Sequence, residues 1–144
     1  MGMFNNFGIS GSAMNAQSIR LNLVASNLAN ANSISSSVEE TYRARHPVFQ
    51  TVYQNHVNGF AGEGQDSAAV AVRGVVESDA PLHAEYRPSH PLANEEGYVF
   101  MPNVNPIEEM TDMISASQSY KDNVQVLDTT KSLLMRTINM GKGA

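Results

Sequence analysis

Apolar residues at the two ends of this chain recur at helical spacing, and between them the pattern breaks into short extended runs. In the first zone, about residues 10–33, Met14, Leu21, Val24, Leu28 and Ala31 fall on a three–four repeat interrupted only by Gln17, with Ile19 and Leu23 on a second flank. This spacing predicts an amphipathic helix with a seam close to that of a coiled coil, roughly 24 residues and about 36 Å long. In the middle zone, Gly59, Gly62, Gly64, Gly74, Pro81, Pro88, Pro91 and Gly97 leave no room for a long helix. Val-, Tyr- and Phe-rich runs at 47–53, 68–77, 82–87 and 98–101 predict strands, and 55–67 reads as a loop. About 60 residues of this kind make only a small β-rich module, marginal by itself.

The third zone opens on Asn105-Pro106-Ile107-Glu108, a helix start: a side chain that accepts from the backbone, a proline at the first helical position and a glutamate placed to reach back. Glu108, Glu109 and Asp112 suit the positive end of the helix dipole. Met113, Ala116, Tyr120, Val124, Leu127, Leu134 and Ile138 then form an apolar stripe broken at Lys131, and Gly141 is the predicted stop. Roughly 32 residues give a helix of about 48 Å. The fold class is α+β: long N- and C-terminal helices packed as a coiled-coil-like pair around a small β-rich insertion. The domains are a discontinuous helical part, 1–38 with 102–144, and a middle module, 39–101.

Charge changes this picture at the N-terminus. From Met1 to Val38 the only charged side chain is Arg20; the polar positions are Asn, Gln and Ser. An exposed helix normally carries Lys and Glu pairs, and Asn and Ser are weak helix formers. Two readings stand. One is a polar, partly disordered terminus. The other is a helix that meets protein on both faces, where neutral amides and hydroxyls bond neighbours without the cost of burying charge.

The whole 144-residue chain carries a net charge of −5, against a nucleic-acid binder that neutralises phosphates. The absence of cysteine excludes disulfides, thiol nucleophiles and zinc–thiolate sites. The first residues lack the pattern of a secretory signal, and no run approaches the roughly 18 apolar residues of a membrane span. Candidate chemistry is thin. Gly8-Ile9-Ser10-Gly11-Ser12 lacks the last glycine of a nucleophile elbow, and Gly62-Glu63-Gly64 lacks a third glycine and a strand–helix frame. His46, His56, His83 and His90 do not have metal-ligand spacing. Glu39–Glu40 and Glu95–Glu96 read as solvated loop charges, Glu108–Glu109 as helix capping, and Met110, Met113, Met135 and Met140 as packing residues. No cofactor, metal, nucleic acid or small-molecule substrate is implied, and an enzyme is the least supported class.

Ser26-Asn27-Leu28-Ala29-Asn30-Ala31-Asn32-Ser33 closely resembles the N-terminal signature of the flagellar axial proteins: rod, hook and junction subunits. Residues 42–49, 88–99, 102–105 and 110–137, especially Ala116-Ser117-Gln118-Ser119-Tyr120 and Val126-Leu127-Asp128-Thr129-Thr130-Lys131, resemble the proximal rod subunits of that superfamily, over essentially the whole chain. The resemblance implies a structural subunit exported by the flagellum's own type III apparatus and assembled in the periplasm into a hollow rod that transmits torque and serves as export channel. It implies as partners further copies of the chain, the proximal rod proteins FlgB and FlgF, FliE, the distal rod protein FlgG and the inner-membrane ring. The polymerisation interface expected from stripes and signature together is Met14, Leu21, Val24, Asn27, Leu28, Asn30, Ala31, Met113, Tyr120, Val124, Leu127, Leu134 and Ile138. The competing reading is a soluble helical adaptor or export chaperone that binds partner helices through the same stripes.

Overall fold

A computed structural model describes residues 3–54 and 67–142. Helix α1 spans Met3–Asn30, strands β1 and β2 span Arg45–Gln54 and Ser67–Glu77, β3 and β4 span His83–Tyr86 and Tyr98–Met101, and helix α2 spans Pro106–Lys142. Two long helices bracket a small region of two antiparallel two-stranded sheets, so the α+β expectation holds. The expected loop at 55–67 lies, but for Ser67, outside the described residues.

Helix α1 begins at Met3, seven residues before the expected start, and continues through Gly8 and Gly11. Glycine inside a helix costs about 1 kcal/mol relative to alanine. Tertiary contact offsets that cost, since Ser10 is buried and Ser12 Oγ accepts the Val70 N–H at 3.1 Å. The helix stops at Asn30, three residues short of the expected end, where the chain tightens. Ala31 N–H donates to Leu28 C=O and Ser33 N–H to Asn30 C=O, while Asn30 Nδ2 takes up the Ser26 carbonyl.

Helix α2 starts at Pro106 with Asn105 as its cap, as expected: Asn105 Oδ1 accepts from Ile107 N–H at 3.1 Å, and Asn105 C=O accepts from Glu109 N–H at 3.0 Å, while the Glu108 side chain makes no hydrogen bond among the described residues. It runs 37 residues, beyond the expected length, and passes through Gly141 rather than ending there. Nothing lies within 4 Å of where a Gly141 side chain would be, so no neighbouring element forces the helix to end there.

Strands β1 and β2 pair from Arg45↔Glu77 to Gln54↔Ser67. Val48 faces Gly74 and Phe49 faces Val72, which leaves Arg73 as the extra residue of a bulge. This hairpin lies along the N-terminal half of α1. Strands β3 and β4 pair from His83↔Met101 to Tyr86↔Tyr98, the last pair meeting edge-to-face at 5.3 Å between ring centroids. Their connection closes at Gly97, whose φ of +83° suits glycine. Any Cβ there would stand 2.8 Å from the Tyr86 ring. An isolated bridge between Ser35 and Phe100 ties β4 to the segment after α1. Asn103 gathers the rest, accepting from Ala44 N–H and donating to the carbonyls of Ser78 and Ala80.

The core is made of small residues. Ala16, Val24, Ala31, Ala44, Val99, Val104 and Ala116 are the buried apolar side chains, while residues as large as Ile107, Ile114 and Met140 are more than 70% exposed. Alanines let backbones approach closely but bury little area, so hydrogen bonds carry an unusual share of the specification.

Candidate assembly interface

The helices meet at a polar latch. Asn27 is fully buried and uses all four of its amide valences. Its Oδ1 accepts from Tyr42 Oη at 2.8 Å and from Arg45 N–H at 2.9 Å; its Nδ2 donates to Arg45 C=O at 3.0 Å and to Glu109 Oε1 at 2.9 Å. One side chain on α1 thereby holds the start of β1 and the first turn of α2. A buried amide with every donor and acceptor matched is strongly position-specific, because any substitute strands several partners at once. Around it, Ser26 Oγ lies 3.3 Å from Tyr42 Oη, and the Arg45 guanidinium sits 5.5 Å over the Tyr42 ring and pairs with Glu77 at 3.0 Å.

Glu109 is only 5% exposed, and its Oε2 has no partner among the described residues. Burial pushes its carboxyl above the usual range, with Asp112 and Glu108 adding to the rise. The Asn27 hydrogen bond and the nearby His46 act the other way. Reading Glu108–Glu109 as a capping pair therefore needs correction for the second member. Glu108 is exposed, whereas Glu109 turns inward and binds α1. Arg20, the lone charge of the first 38 residues, reaches Asp112 at 2.9 Å. That charge belongs to the α1–α2 contact, with both partners partly exposed.

These contacts set the offset of the antiparallel pair. With Arg20 opposite Asp112, at about 1.5 Å per residue Met3 stands beside roughly residue 130 of α2. Thr130 is the last buried residue of α2, which agrees. Residues 131–142 project past the described start of α1. There Leu133, Met135, Ile138 and Met140 are 48, 52, 46 and 72% exposed. A second exposed set, Ile107, Met110 and Ile114, at 77, 51 and 72%, lies on the face of α2 turned away from α1.

The expected interface residues divide by exposure. Val24, Asn27 and Ala31 are buried within the single chain. Met14, Leu21, Leu28, Asn30, Met113, Tyr120, Val124, Leu127 and Leu134 are half-buried, and Ile138 is exposed. The outward apolar residues Ile107, Met110, Ile114, Leu133 and Met140 are absent from the expected set. The signal that finds them is periodic, since 107, 110, 114 and 133, 140 repeat on faces distinct from the main stripe. The role of Glu109 has no comparable local signal.

An open cleft of about 730 Å³ is lined by Glu39, Glu40, Arg43, Arg45 and Glu77 among others, a mixed-charge surface without a nucleophile–base pair. Among the described residues no group of His, Asp and Glu could hold a metal ion, and no helix is long and apolar enough to cross a membrane.

Residues 7–33 match the family described as flagella basal body rod protein, and residues 95–140 match the flagellar basal body rod FlgEFG protein C-terminal family. Over 99% of this chain and the full length of each relative, the flagellar basal-body rod protein FlgC of Salmonella typhimurium is 45% identical, that of Escherichia coli O157:H7 46% and that of Bacillus subtilis 34%. The chain belongs to the FlgC family of flagellar basal-body rod proteins. Its family is structural, its place is the flagellar basal body, and it assembles there with other rod and basal-body components. Both matched segments carry the helices, and the latch residues Asn27 and Glu109 lie one in each.

Proposed function

We propose that this chain is a building block of the hollow proximal rod, polymerising through its terminal helices into a drive shaft that transmits torque and encloses the export channel. The observation that carries the reading is the set of large apolar side chains left in water on both ends of α2, in a chain of the basal-body rod family. Contiguous exposed apolar surface marks an interaction site. In this reading residues 1–38 and 102–144 form the polymerisation core, with the half-buried Met14, Leu21, Leu28, Met113, Tyr120, Val124, Leu127 and Leu134 completing contacts between copies. Residues 39–101 face outward, toward FlgB, FlgF, FliE, FlgG or the inner-membrane ring. Export without a cleaved signal delivers the subunit to the periplasm, and a nearly uncharged N-terminal segment lines the path with little electrostatic hold on passing chains. Leu134→Asp tests this directly. The variant is expected to accumulate normally but to leave cells non-motile and without complete basal bodies, because an unpaired charge buried between subunits costs several kcal/mol. Normal swimming by that variant would sink the reading. Fractionation separates the alternative, an adaptor or export chaperone, which would be found in the cytosol and never in purified basal bodies.

A further inference from the structure

Helix α2 carries two outward stripes of equal reach, one wholly apolar and one with Arg136 between two apolar residues. Ile107, Met110 and Ile114 occupy positions i, i+3 and i+7 on the face away from α1, and Leu133, Arg136 and Met140 repeat the same spacing on the projecting end. Each stripe spans about 10 Å. They differ in charge. Three of the nine Lys and Arg, namely Lys131, Arg136 and Lys142, and none of the fourteen Asp and Glu lie in residues 131–142. A projection of +3 therefore extends from a body of −8. Residues 106–120 hold no basic residue; of their three carboxylates Glu108 is exposed, Glu109 is buried against α1 and Asp112 pairs with Arg20.

From this juxtaposition we infer that the projecting end of α2 in one copy docks on the first turns of α2 in the next, Leu133 against Ile107 and Met140 against Ile114. The inference rests on the rod-subunit reading and names which surface meets which. The occupant is a second copy because the two patches complement each other in apolar spacing and in charge. They are different surfaces of one chain, so the contact is heterologous and does not close into a pair. Copies related by one screw axis point the same way, which makes the two helices parallel and sets the pairing above. In that register Arg136 lies over Met110, its aliphatic stem on the thioether and its guanidinium within reach of Glu108, which is exposed in the first turn. Opposite net charges on projection and body steer the approach.

The chain has no cysteine, which makes the test clean. Residues 114 and 140 are about 39 Å apart along one helix, so a disulfide between them within a copy is impossible. Ile114→Cys with Met140→Cys, oxidised in isolated basal bodies, is expected to give a ladder of this chain alone, and Ile107→Cys with Met140→Cys none. Assembled basal bodies without the first ladder, or with adducts to a different protein instead, overturn the pairing while leaving the rod reading intact. Absence of the unmodified chain from basal bodies would remove the rod reading itself. A second measurement does not need cysteine variants to assemble. Arg136→Glu should reduce swimming at least about tenfold, and adding Glu108→Arg in the same chain should restore most of it. A double variant no better than the single one, or a single variant that swims normally, also overturns the pairing.

Discussion

The two ends of the helix pair are built on opposite principles. At the end where α1 finishes and α2 begins, Asn27 is bonded to Tyr42, Arg45 and Glu109 beside a small buried cluster of Ala31, Ala44 and Val104. At the other end, α2 runs past its partner with Leu133, Met135, Ile138 and Met140 in water. The closed end gains its stability inside one chain, where a matched hydrogen-bond network fixes geometry and every orphaned group is costly. The open end gains nothing from the isolated chain. The closed end therefore specifies the subunit from within, although Ile107, Met110 and Ile114 on its outer face are as exposed as the side chains of the open end.

Substitutions separate the two, beginning where the effect is greatest. Asn27→Ala strands both backbone groups of Arg45 and Glu109 Oε1, leaves Tyr42 Oη with Ser26 alone, and should cost about 3 kcal/mol. Thermal unfolding of the purified chain should then shift down by about 10 °C. Ala116→Leu forces a larger side chain into a fully buried position on the α1-facing side of α2, costing about 2 kcal/mol. Its denaturation midpoint should fall, and the loss should add to that of Asn27→Ala only in part, because both disturb one contact.

Glu109→Gln sharpens the picture through pH. The folded carboxyl is raised above its unfolded value near 4.5. The parent chain therefore keeps the full contribution of this group below that pH and loses it as pH rises through the folded value. Glutamine still accepts from Asn27 but does not titrate, so the variant's denaturation midpoint should hold steady where the parent's declines. Parallel midpoints from pH 4 to pH 7 would show that Glu109 is not buried as described. Arg20→Met removes a partly exposed ion pair and should cost about 0.5 kcal/mol, an effect that shrinks further in added salt.

The smallest effect on the isolated chain comes from the open end. Leu133→Ser with Met140→Ser should leave its stability within about 0.5 kcal/mol of the parent while abolishing motility. Unfolding and swimming assays on the same variant measure both. A large loss of stability there would mean that the projecting turns pack within the chain after all.

Elements were more legible in the sequence than contacts. The run Tyr98–Met101 forms β4 with the bounds its Val-, Tyr- and Phe-rich composition implies, and Asn105-Pro106 starts α2 because the capping chemistry is local. Boundaries set by tertiary packing were not legible: Gly8 and Gly11 argue against a helix that contact with α2 and the β1–β2 hairpin sustains. Asn27 is visible as part of a signature, but its partners lie between 15 and 82 residues away, so its work as a latch is not. Glu108 and Glu109 look alike in sequence. They differ by about 100° around the helix, which is enough to put one in water and the other against α1.

The latch also has a kinetic side. The pairings that join α1 to α2 close across 82 and 92 residues of chain, so neither can form until the intervening segment has been gathered in. Loops of that size are entropically expensive to close, and folds dominated by such distant pairings mature slowly. A freshly made molecule thus stays unfolded for longer than one built of neighbouring segments, and the two helices reach their mutual register only as the last of the chain is gathered in.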